Sequence, residues 1–410
     1  NPVFELNGLT GEKMKNRVKR VLIVFYLLGL VSLFADMVYE GGRSISGAYL
    51  ENLAAPPIGP ALIGLGDFAG YVLRFIAGYL ATLYQSSRLL WGFVIVGYTV
   101  TAISIPLLAF ASAWNMAVVL YVIDRLGKGL RAPSRDVIVA EVSESFGLGK
   151  GFGIHELLDQ LGAFIGPLIV SISLIYWGYR TAFLLLLIPG TISIALVISA
   201  FTLYPSLKSV DKVKKPVLGF KGLGEVFWLY VLASSALALG FMHWAISSYY
   251  LTSRGVLSDY EIGLAYTIAM LADALVAIPL GHVFDKIKLN ILLIQPPLAL
   301  LYIVILLYAP RELIPLAAVC WGVIMCSEES IMRASIALIV EPSKRPFAYG
   351  AFGLLYGLTW AIGGFIYGFL LGNKLYVLTY AVITNTASLL LYIKLSSKYE
   401  ANKSSLKITD

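Results

Sequence analysis

The sequence predicts an all-α membrane protein: twelve transmembrane helices arranged as two pseudo-symmetric six-helix halves. Three observations carry this. Hydrophobic residues make up 59% of the 410 positions and charged residues only 13%, where soluble domains carry about 25% charge; mean hydropathy is +0.81. Apolar runs near the ~20 residues that cross a bilayer core recur at 20–50, 58–84, 89–111, 115–140, 150–176, 180–203, 225–252, 260–284, 289–309, 312–340, 347–371 and 374–396. The chain also repeats itself weakly across its middle.

The repeat sets the expected domain boundaries. Gly78 to Thr82, ending the second run, matches Gly281 to Lys286, ending the eighth. Ile138 to Glu141 matches Leu338 to Glu341, at an offset of about two hundred residues. Six spans therefore occupy 1–203 and six occupy 224–396, with a basic linker at 204–223 and a tail at 397–410. Such internal symmetry is typical of secondary transporters, whose substrate sites lie near the midplane between the repeats. Gly353-x-x-x-Gly357 and Gly364-x-x-x-Gly368 suit close helix packing in lipid.

Lysine and arginine set the expected orientation. One side collects twenty of them, including Lys19, Arg20, Arg88, Lys150, Lys286, Lys344 and Arg345; the other has only Arg180, Arg254, Arg311 and Lys374. Both termini and the linker are expected in the cytoplasm, on a multi-pass protein of the cell membrane. The net charge of +7 follows from this bias and implies no nucleic-acid partner. Cys320 and Cys326, six apart in one span, cannot face each other, so no disulfide is expected between them. The first 17 residues are polar and lack the apolar core of a signal peptide. No Walker loop, G-x-S-x-G or zinc-spaced cluster occurs, so neither enzymatic activity nor a cofactor is expected. The expected partners are the bilayer, a small molecule or ion as substrate, and protons, with the chain acting as a monomer.

Ionisable residues inside a span cost several kcal/mol each and mark function by default. The fourth span carries Asp124 and Arg125 about nine residues, or ~14 Å, below its start. Asp124, Lys128, Arg131 and Arg135 share one face by i+3/i+4 spacing. The shallower Arg131, Arg135 and Asp136 read as an ion-pair clasp to helix 2, helix 5 or the loop. In the first span Asp36 and Glu40 lie one turn apart, with Arg43 next on that face, and Gly41-Gly42 invites a bend. In the fifth, His155 and Asp159 are i,i+4 beside Glu156 and can share a proton, with a metal ion as the alternative. Gly162, Gly166 and Pro167 are expected to press helix 5 onto a second-half neighbour and to bend it. Asp67 and Arg74 can face each other on the second span, and Glu329 and Arg333 can neutralise each other on the tenth. Asp273 has no local partner.

Several of these strings resemble the major facilitator superfamily over nearly the full length. Gly281-x-x-x-Asp285-Lys286 is similar to its loop motif, whose first-half counterpart Gly78-x-x-x-Thr82 has lost the acid. Arg125-x-x-Lys128-Gly129 resembles the fourth-helix motif, with Lys where Gln is usual. Gly153-x8-Gly162-x3-Gly166-Pro167 resembles the fifth-helix motif of antiporters, without its trailing glycine pair. The longer string from Asp124 to Asp136 resembles a prokaryotic branch of the superfamily. The resemblance implies that the first, fourth, seventh and tenth helices line a cavity. It places Asp36 and Glu40 opposite Glu328 and Glu329, with His243 and Trp244 on the seventh helix. Together with Asp124, Arg125, His155 and Asp159, these form the expected coupling and substrate set. Asp67, Arg74, Arg131, Arg135, Asp136, Gly162, Gly166, Pro167, Gly281, Asp285 and Arg333 form the expected gating set. Asp285 is expected to face the start of helix 5, a contact of about 0.3–1 kcal/mol, and so to latch the halves on the cytoplasmic side. The expected function is a proton-coupled antiporter exporting a cation, a metal ion or an amphiphilic compound. A proton-coupled importer of a small organic ion and a transport-inactive sensor of the same fold are the alternatives.

Overall fold

The computed structural model describes residues 11–84, 86–144, 147–207, 223–341 and 344–408. Most of the basic linker, with Lys208, Lys212, Lys214, Lys215 and Lys221, lies outside them. Twelve helical segments of the described residues correspond to the twelve expected spans. Those of the first half are α1 (Gly11–Ser44), α2 (Gly59–Tyr84), α3 (Ser87–Leu107), α4 (Trp114–Ser143), α5 (Leu148–Tyr176) and α6 (Gly178–Leu203). Those of the second are α7 (Gly224–Ser253), α8 (Asp259–Ile287), α9 (Gln295–Tyr308), α10 (Arg311–Ile339), α11 (Arg345–Leu370) and α12 (Lys374–Ile408). Length and apolarity alone pick out ten stretches. The difference has two causes: α4 carries too many charges to qualify, and Asp259–Tyr308 is one 50-residue stretch holding both α8 and α9.

Gly11 and Ile408 share the near end of the bundle, because twelve spans return the chain to its starting side. Several spans are broken. A short helix, Ser46–Asn52, extends α1 toward the far end after a break at Ile45. The Gly41-Gly42 pair lies within the continuous α1, two residues before its end at Ser44. Those glycines admit Leu186 and Ile105 against the α1 backbone. The second-half spans α7 and α10 are interrupted near their middles, at Phe241–His243 and by a π turn at Ser327–Ile331. π turns re-aim side chains and cluster at functional sites.

The halves meet along two seams. Tyr71 of α2 packs on Gly353 and Gly357 of α11, and Ser171 of α5 packs on Gly263 of α8. The glycines Gly162 and Gly166 do not serve the second seam. A Cβ at either would lie 2.2 Å from a carbonyl oxygen, Leu33 or Met37, of α1. They bring α5 onto α1 within the same half, which corrects the expected second-half contact. Pro167 sits inside α5, and the Ser171 hydroxyl donates to its carbonyl at 2.7 Å.

Candidate functional site

A cavity of about 590 Å³ lies between the halves. It extends from Tyr39, Arg43 and Trp360 at its deep end to Thr82, Val137 and Phe347 toward the near end. The far end is sealed by α1 and its extension against α7. Trp244 Nε1 donates to Ser44 O at 2.7 Å, Tyr249 OH to Ala55 O at 2.8 Å, and Gly47 N to Ser248 Oγ at 3.1 Å. Trp244 and Tyr249 are therefore seal residues, whereas Tyr356 and Trp360 line the cavity.

Seven cations and five carboxylates line this space, and six of the seven cations belong to the first half. The fourth helix supplies four of them, as its i+3/i+4 spacing dictates. Arg125 is 3% exposed. Its Nε lies 2.9 Å from Asp67 Oδ1 without a hydrogen bond's alignment, and its Nη1 donates to Asp124 Oδ2 at 3.2 Å. Its guanidinium also stacks 4.3 Å from the Tyr39 ring. Asp124 is fully buried behind Arg125 and reaches neither cavity. The Asp67–Arg74 pairing expected on α2 does not form. Asp67 takes Arg125, and Arg74 lies 3.6 Å from Asp136, which Arg135 holds at 2.9 and 3.0 Å. The clasp read from the sequence thus joins α4 to α2. Arg131 stands apart from it, donating to Thr101 Oγ1 at 2.8 Å and stacking on Tyr98.

Behind the cavity lies a small chamber of about 30 Å³, room enough for at least one water. Asp36 and Glu40 of α1, Asp159 of α5, Asp273 of α8 and Glu329 of α10 surround it, with Arg43 and Lys128 as its cations. Arg43, Lys128, Asp159 and Glu329 face both spaces. Lys128 Nζ sits 3.7 Å from the Tyr39 ring centre. Glu40 accepts from Tyr266 OH of α8 at 2.5 Å and pairs with Arg43 at 3.6 Å. Asp36 is 8% exposed and has no hydrogen bond or ion pair among the described residues. The expected opposition of Asp36 and Glu40 to α10 thus reaches Glu329. Glu328 points instead into the main cavity, where Tyr356 OH donates to it. No ion pair joins Glu329 to Arg333, because the π turn breaks the i+4 register the sequence implied.

Three expectations need correcting. His155 does not pair with Asp159: its Nε2 contacts Ser32 Oγ at 3.1 Å, and no ion pair links the two. Among the described residues no group of three His, Cys, Asp or Glu is set to hold a metal. His243 lies outside both spaces, stacked 4.1 Å from Trp360 with Nε2 2.8 Å from that residue's carbonyl. The Asp285 latch is not engaged. Asp285 is exposed and among the described residues pairs only with Lys288, at 3.9 Å, and a Cβ at Gly281 would touch nothing within 4 Å. Sequence reasoning missed Tyr39 and Tyr266, which hold the charged groups; nothing in the local pattern separates them from lipid-facing aromatics.

Two six-helix halves, a charged central cavity and a seal at one end define a polytopic carrier. The sequence profile of the Major Facilitator Superfamily matches residues 33–325 and 246–407, and the chain belongs to that superfamily of transporters. An uncharacterised protein of Mycobacterium tuberculosis is 34% identical over 366 residues, covering 87% of this chain and 88% of the relative. An uncharacterised MFS-type transporter of Methanocaldococcus jannaschii is 28% identical over 277 residues, 64% of this chain and 66% of that protein. Among solved structures, a peptide transporter bound to sulfate superposes with TM-score 0.71 at 14% identity, covering 92% and 94% of the two chains. A nucleoside transporter gives 0.66 at 14% identity, covering 92% and 99%. At this identity the likeness concerns the fold.

Proposed function

We propose that the chain is a proton-coupled secondary transporter of a small organic anion, in the cell membrane, with its near end in the cytoplasm. The lysine and arginine bias of the near-end loops supports the orientation. The observation that carries the solute class is the segregation of charge. Six cations of the cavity wall come from one half, while Asp36, Asp159 and Glu329, which have no ion-pair partner among the described residues, gather around Lys128.

The coupling follows from electrostatics. Ionised Asp159 and Glu329 repel an anion in the cavity, and their protonation removes that repulsion. Proton and anion then favour each other's binding, and linkage makes the effect reciprocal. Two ligands that bind cooperatively travel together, which is symport. A cation substrate reverses the sign, because it competes with protons for the carboxylates and is exchanged for them. The acidic chamber favours this second reading, export of a cation by antiport. The glycines of α5 lend it no support, since they pack within the first half.

Proteoliposomes loaded with a pH-sensitive dye separate the two. A panel of carboxylates, phosphate esters, metal ions and organic cations is offered from outside. The proposal predicts acidification of the lumen with an anion, and loss of that response in Glu329→Gln. Lumenal alkalinisation driven by a cation establishes antiport instead, and anion uptake without proton movement removes the coupling.

A further inference from the structure

We infer that Arg74, Arg135 and Arg333 form an oxyanion-binding gate at the near-end mouth of the cavity, which resists closure until an anion occupies it. The inference rests on reading the cavity as the path of an anion. All three guanidiniums line the cavity. Arg74 and Arg135 come from α2 and α4 of the first half, and Arg333 comes from α10 of the second, two residues beyond the π turn. They do not have a carboxylate each. Arg135 occupies Asp136 Oδ1 with two N–H donors, at 2.9 and 3.0 Å, and Arg74 reaches Oδ2 only at 3.6 Å. Arg333 has no ion pair within 4.0 Å among the described residues, and its charge acts on Arg74, Asp136 and the Glu156 carboxylate. Glu156 of α5 faces the same space, with Gln160 at 3.5 Å as its hydrogen-bond partner.

Closing the mouth drives α10 toward α2 and α4, and so presses Arg333 against two guanidiniums that share one carboxylate. Like charges entering a low-dielectric space repel more strongly as water leaves. A carboxylate or phosphate group placed among them reverses the sign of the interaction. Guanidinium groups grip such oxyanions through paired N–H donors. The loaded carrier therefore closes more readily than the empty one, which limits proton leak without solute.

The test uses the full chain in nanodiscs, with spin labels at Glu144 and Glu341, beyond the near ends of α4 and α10. Succinate and inorganic phosphate are the probes, at millimolar concentration. In the unsubstituted protein at least one of them is expected to shorten the mouth distance. Arg333→Gln is expected to weaken that anion by about tenfold or more and to shorten the distance even without anion. Arg333→Lys, which keeps the charge, is expected to keep the empty mouth open. Two results overturn the gate. One is an anion that binds Arg333→Gln as tightly as the unsubstituted protein. The other is a mouth distance in Arg333→Gln equal to that of the unsubstituted protein in the absence of anion. If the flux assay finds a carried anion while either result holds, the gate alone fails. If only cations are carried and neither probe moves the mouth, the solute reading fails with it.

Discussion

Substitution of Gly47 by alanine tests whether the far-end seal belongs to one of two alternating states. A Cβ at Gly47 would stand 1.8 Å from Ala245 O, 2.3 Å from Ser248 Oγ and 2.6 Å from Tyr249 N. Carbon contacts settle at about 3.5 Å, so the α1 extension must withdraw from α7 by roughly 1.5 Å. That retreat breaks the Gly47–Ser248 hydrogen bond and stretches those from Tyr249 to Ala55 and from Trp244 to Ser44. Overpacking costs about 1–3 kcal/mol, and a lost neutral hydrogen bond adds about 1 kcal/mol. The sum, about 2–4 kcal/mol, falls only on the far-closed state, because the same surfaces separate when the far end opens. A shift of about 2.8 kcal/mol is a hundredfold change in the ratio of states. Spin labels at Asn52 and Arg254, both exposed on the two sides of the seal, report it as a new, longer distance population in Gly47→Ala. The native Cys320 and Cys326 are buried and give little background. An unchanged distance distribution together with unchanged melting refutes the reasoning, since the clash must then be absorbed without opening the seal.

Three further outcomes are expected. Asp67→Asn leaves Arg125 with Asp124 as its remaining carboxylate; breaking a buried pair costs about 3–5 kcal/mol, and the retained contact places this loss at the lower end. Thermal melting checks it, and Arg125→Met combined with Asp67→Leu and Asp124→Leu, which removes the buried charges together, should recover most of the loss. Lys128→Met removes one of the two cations, with Arg43, that line both spaces, so solute-driven proton flux should fall to background while the protein still purifies as a folded species. Asp285→Asn should leave melting unchanged, since Asp285 is exposed and unlatched in this state. If its partner forms only when the mouth closes, the substitution raises labelling of single cysteines at Thr82 and Val137; unchanged labelling dismisses the latch.

Much of the architecture could be read from the chain because hydrophobic length is a local property. All twelve apolar runs fall on helices, including α4, whose charges set it apart from the purely apolar ones. The face of α4 carrying Lys128, Arg131 and Arg135 was equally legible, since helical spacing alone sets it. Partnerships between helices were not. Ser32 and His155 are 123 residues apart, and Tyr266 and Glu40 are 226 apart, so no periodicity could join them. Local geometry also misled. The i+4 spacing of Glu329 and Arg333 implied a pair that the π turn undoes, and Gly162 and Gly166 announced close packing without saying which helix would fill the groove. Asp124 illustrates the limit differently: it shares the expected face with Lys128, but burial behind Arg125 removes it from the cavity.

The central claim is that protonation of the chamber carboxylates and anion binding assist each other. Calorimetric titration of a transported anion into the purified protein, repeated in buffers of different ionisation enthalpy, counts the protons exchanged on binding. The account predicts net proton uptake, abolished when Asp159 and Glu329 are both replaced by their amides. Proton release on anion binding, or uptake that survives the double replacement, contradicts it.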